Sequence, residues 1–490
     1  MKYKLIFILA LATSMTKGQE FVSFSFEGHD AGTGNAETVN PVIGGWSSDP
    51  SVCRVGNDYW LVTSSFGYFP GVPLYHSKNL CDWTLVRNIL DRPSQLPYLK
   101  GQGIARDGIY APHISYNPHN GLYYMITTDV GHGTFYVTAK APASDWSEPV
   151  WLPDVDGIDP SFFFDDDGKA YIVHKEDVTG QPKWNMHRAI RIIRFDTATG
   201  TTFGEDVPFL EEGVGPEEKL GRDEGPHIYK VNGKYIMICA EGGTGINHSE
   251  VCYKADNVFG PYTRWSRNPM LTQRLLNSKR TNPVTCSGHV DMVQTPSGEW
   301  YGVFLAERGY ESLHGRETFL MPVHWSKDGF PYITQEKDTV PLNPRNYTFF
   351  DEFKTRRTDW ITAEGVPGAQ MIRLPNTKFV AETSIVPPSR KSAGKPYGMV
   401  LLRDETHQYR INIDGIAVNV VKVGKKGACE TLAGIPMPRD KKSLLLRMVS
   451  DGETLRFYCN GDEIGTGAPV KYVGSRQAPG FTGSVIGIYK

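Results

Sequence analysis

Asp159-Pro160-Ser161-Phe162-Phe163-Phe164-Asp165-Asp166-Asp167-Gly168-Lys169-Ala170-Tyr171-Ile172-Val173 is the stretch that decides the fold. An apolar, aromatic run enters a turn of Asp and Gly, residues that tolerate positive φ, and a second apolar run leaves it, which is the pattern of a β-hairpin. The pattern recurs four more times. Segments opening with Asp49-Pro50-Ser51, Ala111-Pro112-His113, Glu224-Gly225-Pro226-His227 and Gly288-His289-Val290-Asp291 pass through turns at Gly56-Asn57-Asp58, Asn120-Gly121, Asn232-Gly233 and Ser297-Gly298. They emerge as Tyr59-Trp60-Leu61-Val62, Tyr123-Tyr124-Met125-Ile126, Tyr235-Ile236-Met237-Ile238 and Trp300-Tyr301-Gly302-Val303. Opening marker and aromatic lie 10 to 12 residues apart and the markers recur every 48 to 65 residues, about the length of four strands with their loops. An outer-strand Trp follows several of the hairpins, at Trp83, Trp146 and Trp265. Helical periodicity, which a βαβ arrangement would need, is not sustained between them. Residues 38–340 therefore read as a five-bladed β-propeller, with a large sandwich of unrelated hairpins as the rival.

The rest of the chain agrees with an all-β protein. Its 490 residues include Gly 51, Pro 33, Tyr 24, Phe 23 and Trp 10, a turn-rich and aromatic-rich composition suited to many short strands. Beyond Val340-Pro341-Leu342-Asn343-Pro344 the repeat stops. Candidate strands there include Gly398-Met399-Val400-Leu401-Leu402, Leu444-Leu445-Leu446-Arg447-Met448 and Leu455-Arg456-Phe457-Tyr458, with Asn460-Gly461 as a hairpin turn. Residues 349–490 thus read as a β-sandwich domain. At the other end, Lys2 and Lys4 precede the apolar run Leu5 to Ala12, which is the pattern of a secretory signal peptide over 1–19, cut near Gly18 or Gln19. The run is far short of the roughly 20 apolar residues that a membrane span needs, so a secreted or periplasmic protein without a membrane span is expected. Lys and Arg number 52 against 54 Asp and Glu, which speaks against a nucleic-acid partner recruited by charge. Seven cysteines are few and odd in number for a disulfide scaffold, and none has zinc spacing.

A propeller collects the opening residues of its innermost strands at one end of the central channel, so Asp49, Asp159 and Glu224 are expected to converge there as repeat-equivalent acids. Close carboxylates repel and shift one another's pKa, which is tolerated mainly where the acids act. Asp165, Asp166 and Asp167 fall in a hairpin turn and read as solvated.

These motifs, with Ala240-Glu241-Gly242-Gly243-Thr244 and Gly315-Arg316-Glu317-Thr318, resemble glycoside hydrolase family 43, and the tail resembles the concanavalin-like sandwich of that family's β-xylosidases and α-L-arabinofuranosidases. The resemblance implies exo-acting, inverting release of terminal α-L-arabinofuranose or β-D-xylose from plant cell-wall oligosaccharides or polysaccharides. It implies Asp49 as general base and Glu224 as general acid, the two carboxyl roles that single displacement requires, and Asp159 as the acid that orients Glu224 and keeps its pKa high. It further implies substrate binding by Phe66, Tyr110, His289 and Arg316. The chain departs from the family pattern in carrying Tyr110 where Trp is frequent and Trp46-Ser47-Ser48 before Asp49. No cofactor is implied as required; a structural calcium ion near His289 is compatible with the family, and the sequence itself holds no ligand cluster that demands one. Two further readings stay open, a non-catalytic glycan-binding propeller and an endo-acting arabinanase.

Overall fold

The computed structural model describes residues 20–32, 39–178, 181–182, 187–210, 223–387, 395–438 and 442–490. The signal peptide expected over 1–19 lies outside them. Among the described residues every regular element is a β-strand apart from three short 3-10 turns, and no helix is long and apolar enough to cross a membrane.

Five antiparallel sheets, each with its strands in chain order, form the propeller. Blade I consists of Ser51–Val55, Asp58–Val62, Gly71–Ser77 and Thr84–Leu90, and blade II of Ile109–Asn117, Leu122–Asp129, Gly133–Ala139 and Val150–Trp151. Blade III is Ile158–Phe164, Ala170–Asp177, Arg188–Asp196 and Thr201–Leu210. Blade IV is Glu224–Val231, Lys234–Glu241, Ser249–Ala255 and Thr263–Arg264, with Leu271–Thr272 added on its third strand; blade V is Val284–Gln294, Trp300–Arg308, Arg316–Trp325 and Pro331–Tyr332. The first strand of each blade packs against the first strand of the next, and that of blade V packs against that of blade I, so the ring is closed. The segment ahead of blade I fastens the closure: Val42 N–H donates to Thr318 O at 2.9 Å, Ser47 N–H to Arg316 O at 2.9 Å, and the Asn40 amide to Leu320 O at 2.9 Å. Trp146 and Trp265 are buried in the apolar layers between sheets, which explains their recurrence beside the outer strands. The hairpin turns have the expected backbone, with Asn232 and Gly233 both at positive φ.

Asp165 corrects the solvated-turn reading. It is 4% exposed, Lys230 Nζ lies 2.6 Å from its Oδ1, and Tyr235 OH donates to Oδ2 at 2.6 Å. It ties blade III to blade IV, while Asp166 and Asp167 remain exposed.

The tail forms two facing sheets over a core that includes Phe24, Phe26, Leu401, Tyr409, Leu446 and Phe457. One sheet orders Gln370–Arg373, Val485–Tyr489, Tyr397–Asp404, His407–Ile413, Ala417–Val423 and Cys429–Pro436; the other centres on Lys378–Val386, Leu444–Asp451 and Thr454–Cys459. The second sheet also takes in Glu20–His29, a segment assigned to neither domain by sequence. This strand lies between Tyr347–Asp351 and Lys378–Val386 and turns Phe24 and Phe26 into the core. From Glu20 onward the chain therefore contributes a strand to the sandwich, builds the propeller, and returns to the sandwich. All seven cysteines are unpaired.

Candidate active site

The five opening markers converge. Asp49, Pro50 and Ser51, Ala111 and Pro112, Asp159 and Pro160, Gly225 and His227, and His289 line one small cleft on the propeller axis, every blade contributing. A shared backbone device aims them. In blades II to V the first strand carries one extra residue against its partner, between Tyr110 and His113, Ile158 and Ser161, Glu224 and His227, and Gly288 and Asp291. Such bulges re-aim side chains and favour site rims. The residue in each bulge is left-handed: Ala111 at φ 35°, Asp159 at 56°, Gly225 at 59° and His289 at 56°, with Asp49 at 55° in blade I. Asp49 and Asp159 are thus equivalent, but Glu224 is not. It occupies the preceding position, matching Tyr110, Ile158 and Gly288, and Gly225 takes the left-handed place because a Cβ there would lie 2.8 Å from the His289 ring.

Asp49 is 6% exposed. Its Oδ2 accepts from Ser64 Oγ at 2.5 Å, its Oδ1 lies 3.2 Å from Arg316 Nη1, and His289 Nδ1 is 3.8 Å away. Burial alone would raise its pKa, but Arg316, His289 and the hydroxyls of Ser64 and Ser48 outweigh it and hold the carboxyl below its ordinary value. Asp159, 7% exposed, accepts from Gly225 N–H at 3.0 Å. Burial, reinforced by the charges of Glu224 and Asp49, pushes it up to about 6 against the pull of His289 and Lys175. Glu224 behaves in the opposite sense to the expectation that Asp159 keeps it protonated. Burial pushes it up, yet the Lys175 ammonium, its Nζ 2.9 Å from Oε2, brings it below its ordinary value. Lys175, not among the residues expected from the sequence, lowers both acids, taking Glu224 below its ordinary value, whereas burial keeps Asp159 raised. Together the groups leave one axial carboxyl ionised and a neighbouring pair that holds one proton below about pH 6.

Arg316 lies between Asp49 and an aromatic wall, its guanidinium 6.0 Å from the Phe66 ring centroid and 5.2 Å from that of Phe481. Phe66 is buried; its ring meets Tyr110 edge-on at 5.3 Å and stacks on Phe481 at 6.1 Å. Phe481, missing from the sequence-based set, comes from the sandwich. Its N–H donates to Ala105 O at 2.8 Å, and Ser484 N–H to Leu313 O at 2.7 Å. The crossing needs glycine, since a Cβ on Gly483 would lie 2.0 Å from His314 O. Phe66, Tyr110, His289 and Arg316 are therefore all gathered around Asp49.

Two groups of described residues place three metal-type ligand atoms within 4.8 Å of one another. Deeper on the axis are His113, His227 and Asp291. His113 Nδ1 accepts from Phe162 N–H at 3.2 Å, so the neutral ring carries its proton on Nε2. Asp291 is engaged by Ser51 Oγ at 2.7 Å, Val52 N–H at 2.9 Å and Tyr229 OH at 2.5 Å. Two imidazoles and a committed carboxylate do not fit calcium, which takes six to eight oxygen ligands. In the second group, His174, Glu176 and Asp206, Arg191 Nε lies 3.0 Å from Glu176 and 2.6 Å from Asp206, so a guanidinium already serves both carboxylates.

The same two-part architecture appears in known proteins. The family model of glycosyl hydrolases family 43 matches residues 38–331, and that of the beta xylosidase C-terminal concanavalin A-like domain matches residues 356–490. A xylosidase/arabinosidase of Butyrivibrio fibrisolvens is 42% identical over 327 residues, covering 65% of this chain and 61% of the relative. A non-reducing end alpha-L-arabinofuranosidase of Bacteroides ovatus is 41% identical over 305 residues, covering 61% of this chain and 53% of the relative. The matched part thus spans about half to three fifths of the length of these relatives. Among solved structures, a family-43 subfamily-12 protein retrieved from capybara gut metagenome superposes with a TM-score of 0.87 at 33% identity, covering 96% of this chain and 99% of that one. With its axial acids on a five-bladed ring and a concanavalin-like sandwich supplying one wall, the chain belongs to glycosyl hydrolases family 43.

Proposed function

We propose that this protein is an exo-acting, inverting glycoside hydrolase that removes terminal α-L-arabinofuranose or β-D-xylose from plant cell-wall oligosaccharides or polysaccharides. The observation that carries the reading is the pairing of the axial acids: Asp49 is engaged by Arg316 Nη1 at 3.2 Å and by Ser64 Oγ at 2.5 Å and stays ionised, while Asp159, which burial raises to about 6, gives the pair it forms with Glu224 a proton in mild acid. Single displacement at an acetal carbon needs those two states at once, a carboxylate that deprotonates water on one face of the sugar and a carboxyl that protonates the leaving oxygen on the other. Asp49 is the base and Glu224 the acid; Asp159 supplies the proton reserve. Arg316 fixes the Asp49 carboxylate, and Phe66, Tyr110 and Phe481 offer aromatic faces to the apolar C–H face of a pentose. The wall that carries Phe481 supports exo action, because it places sandwich residues beside the cleft. Pentose as the substrate class follows the names of the relatives, a xylosidase/arabinosidase and an arabinofuranosidase. Polymeric substrates accord with the export signal read over 1–19, which points to action outside the cytoplasm.

Purified mature chain offered aryl β-D-xyloside and aryl α-L-arabinofuranoside in parallel is expected to release the phenol from at least one. Inactivity on both would leave the non-catalytic glycan-binding reading.

A further inference from the structure

Lys175 stands on the second strand of blade III opposite Ile158, the neighbour of Asp159. Its Nζ is 2.9 Å from Glu224 Oε2, with the two side chains only 12% and 14% exposed. An ammonium ion pressed against a carboxyl stabilises its ionised form, which is the form that cannot protonate a leaving group. Asp159 lies within reach of the same positive charge. Of the three N–H groups that an ammonium carries, one is engaged by Glu224, and Nζ has no other hydrogen-bond partner among the described residues.

We propose, resting on the glycosidase reading above, that Lys175 is a movable cation that decides which of two acids holds their shared proton. In the free enzyme Lys175 pairs with Glu224 and the proton rests on Asp159. A sugar in the cleft draws the ammonium off Glu224 with its hydroxyls and leaves it beside Asp159. The O–H bond of the Asp159 carboxyl then breaks as one forms on Glu224. Lys175 stays an ammonium and the site's net charge is unchanged. The acid is thereby armed only when substrate is present.

The remaining charged and titratable groups around the pair are consistent with this. Glu224 also faces His248 and His289, Asp159 faces His289 and Asp49, and Lys175 feels Arg188. Asp223 precedes Glu224 in the chain, and burial pushes it up to about 7, so it is largely neutral in acid. His248 donates through Nδ1 to Cys286 O at 2.9 Å, and burial pushes its pKa down to about 4, so it stays uncharged near neutrality and cannot replace Lys175 as the cation.

Two readouts test the switch. The first needs no turnover: carboxyl-carbon NMR titration of protein labelled with carbon-13 in its Asp and Glu carboxyls, assigned with Asp159→Asn and Glu224→Gln. In the free wild type Asp159 should titrate near pH 6 and Glu224 below it. In Lys175→Met the Glu224 midpoint should rise by about one unit or more, and Lys175→Arg, which keeps the charge, should hold it near the wild-type value. A Glu224 midpoint unmoved in Lys175→Met overturns the proposal even if no glycoside is ever cleaved. The second readout compares pH profiles, because kcat/KM reports the free enzyme and kcat the complex. In the wild type the upper limb of kcat should lie about one unit or more above that of kcat/KM, and the gap should close in Lys175→Met. Coincident limbs in the wild type overturn the substrate gating. Failure of the glycosidase reading shows separately, as absence of turnover.

Discussion

Glu224→Gln is expected to lower kcat/KM on oligosaccharides and alkyl glycosides by about 10²–10⁴-fold, the usual worth of a positioned general acid. Aryl glycosides with acidic phenols should lose far less. The amide keeps the size of the side chain and can still contact Lys175 Nζ, which now lies 2.9 Å from Oε2, but it has no proton to give. A phenol of low pKa departs as the anion and needs little protonation, so the defect should grow with the pKa of the leaving group. A uniform loss across leaving groups would mean that Glu224 only positions substrate.

Asp49→Asn should give a loss of similar size, about 10²–10⁴-fold, falling equally on all leaving groups because attack by water on the anomeric carbon is impaired whatever departs. Asn can keep the Ser64 hydroxyl bond to its side-chain oxygen, now 2.5 Å, while the Arg316 guanidinium 3.2 Å away loses its counter-charge. The pH profile carries the same assignment. Asp49 is held below its ordinary value, so activity should persist into acid and fall only as pH drops through that lowered pKa. The proton shared by Asp159 and Glu224 is lost as pH rises, so the upper limb of kcat/KM should lie near pH 6, an apparent value that belongs to the pair. In Asp49→Asn the lower limb should vanish, and the upper one should persist at a lower pH, because Asp159 loses one of the charges that raise it.

The propeller was legible in the sequence because each hairpin carries its own turn residues and its own burial pattern, both local properties. Convergence of the markers followed from the ring itself. Glu224 was placed one residue wrong because the position of a bulge is a property of the backbone. The pattern X-Pro aligns Gly225-Pro226, rather than Glu224, with Asp49-Pro50 and Asp159-Pro160. Glu20–His29 was missed because its partners lie more than 300 residues away, Phe26 opposite Ala381 and Phe349. The alternation Phe24-Ser25-Phe26 was its only local mark. Phe481 owes its place to a chain crossing with no periodicity. Lys175 did leave a signal, a basic residue two places past the apolar run Tyr171-Ile172-Val173, on the strand that pairs with the one carrying Asp159. Its effect on Glu224 is a matter of distance, which no sequence pattern conveys. Asp165 shows the same limit in reverse, a turn residue buried by a neighbouring blade.

The central claim, one displacement by an acid and a base on opposite faces of the sugar, is tested most directly by proton NMR of the anomeric signals in the first minutes of hydrolysis, before mutarotation. The configuration of the first-formed pentose should be opposite to that of the glycoside, α-xylose from a β-xyloside or β-arabinose from an α-arabinofuranoside. Retained configuration in the first-formed sugar would require a covalent intermediate and would contradict the roles assigned to Asp49 and Glu224.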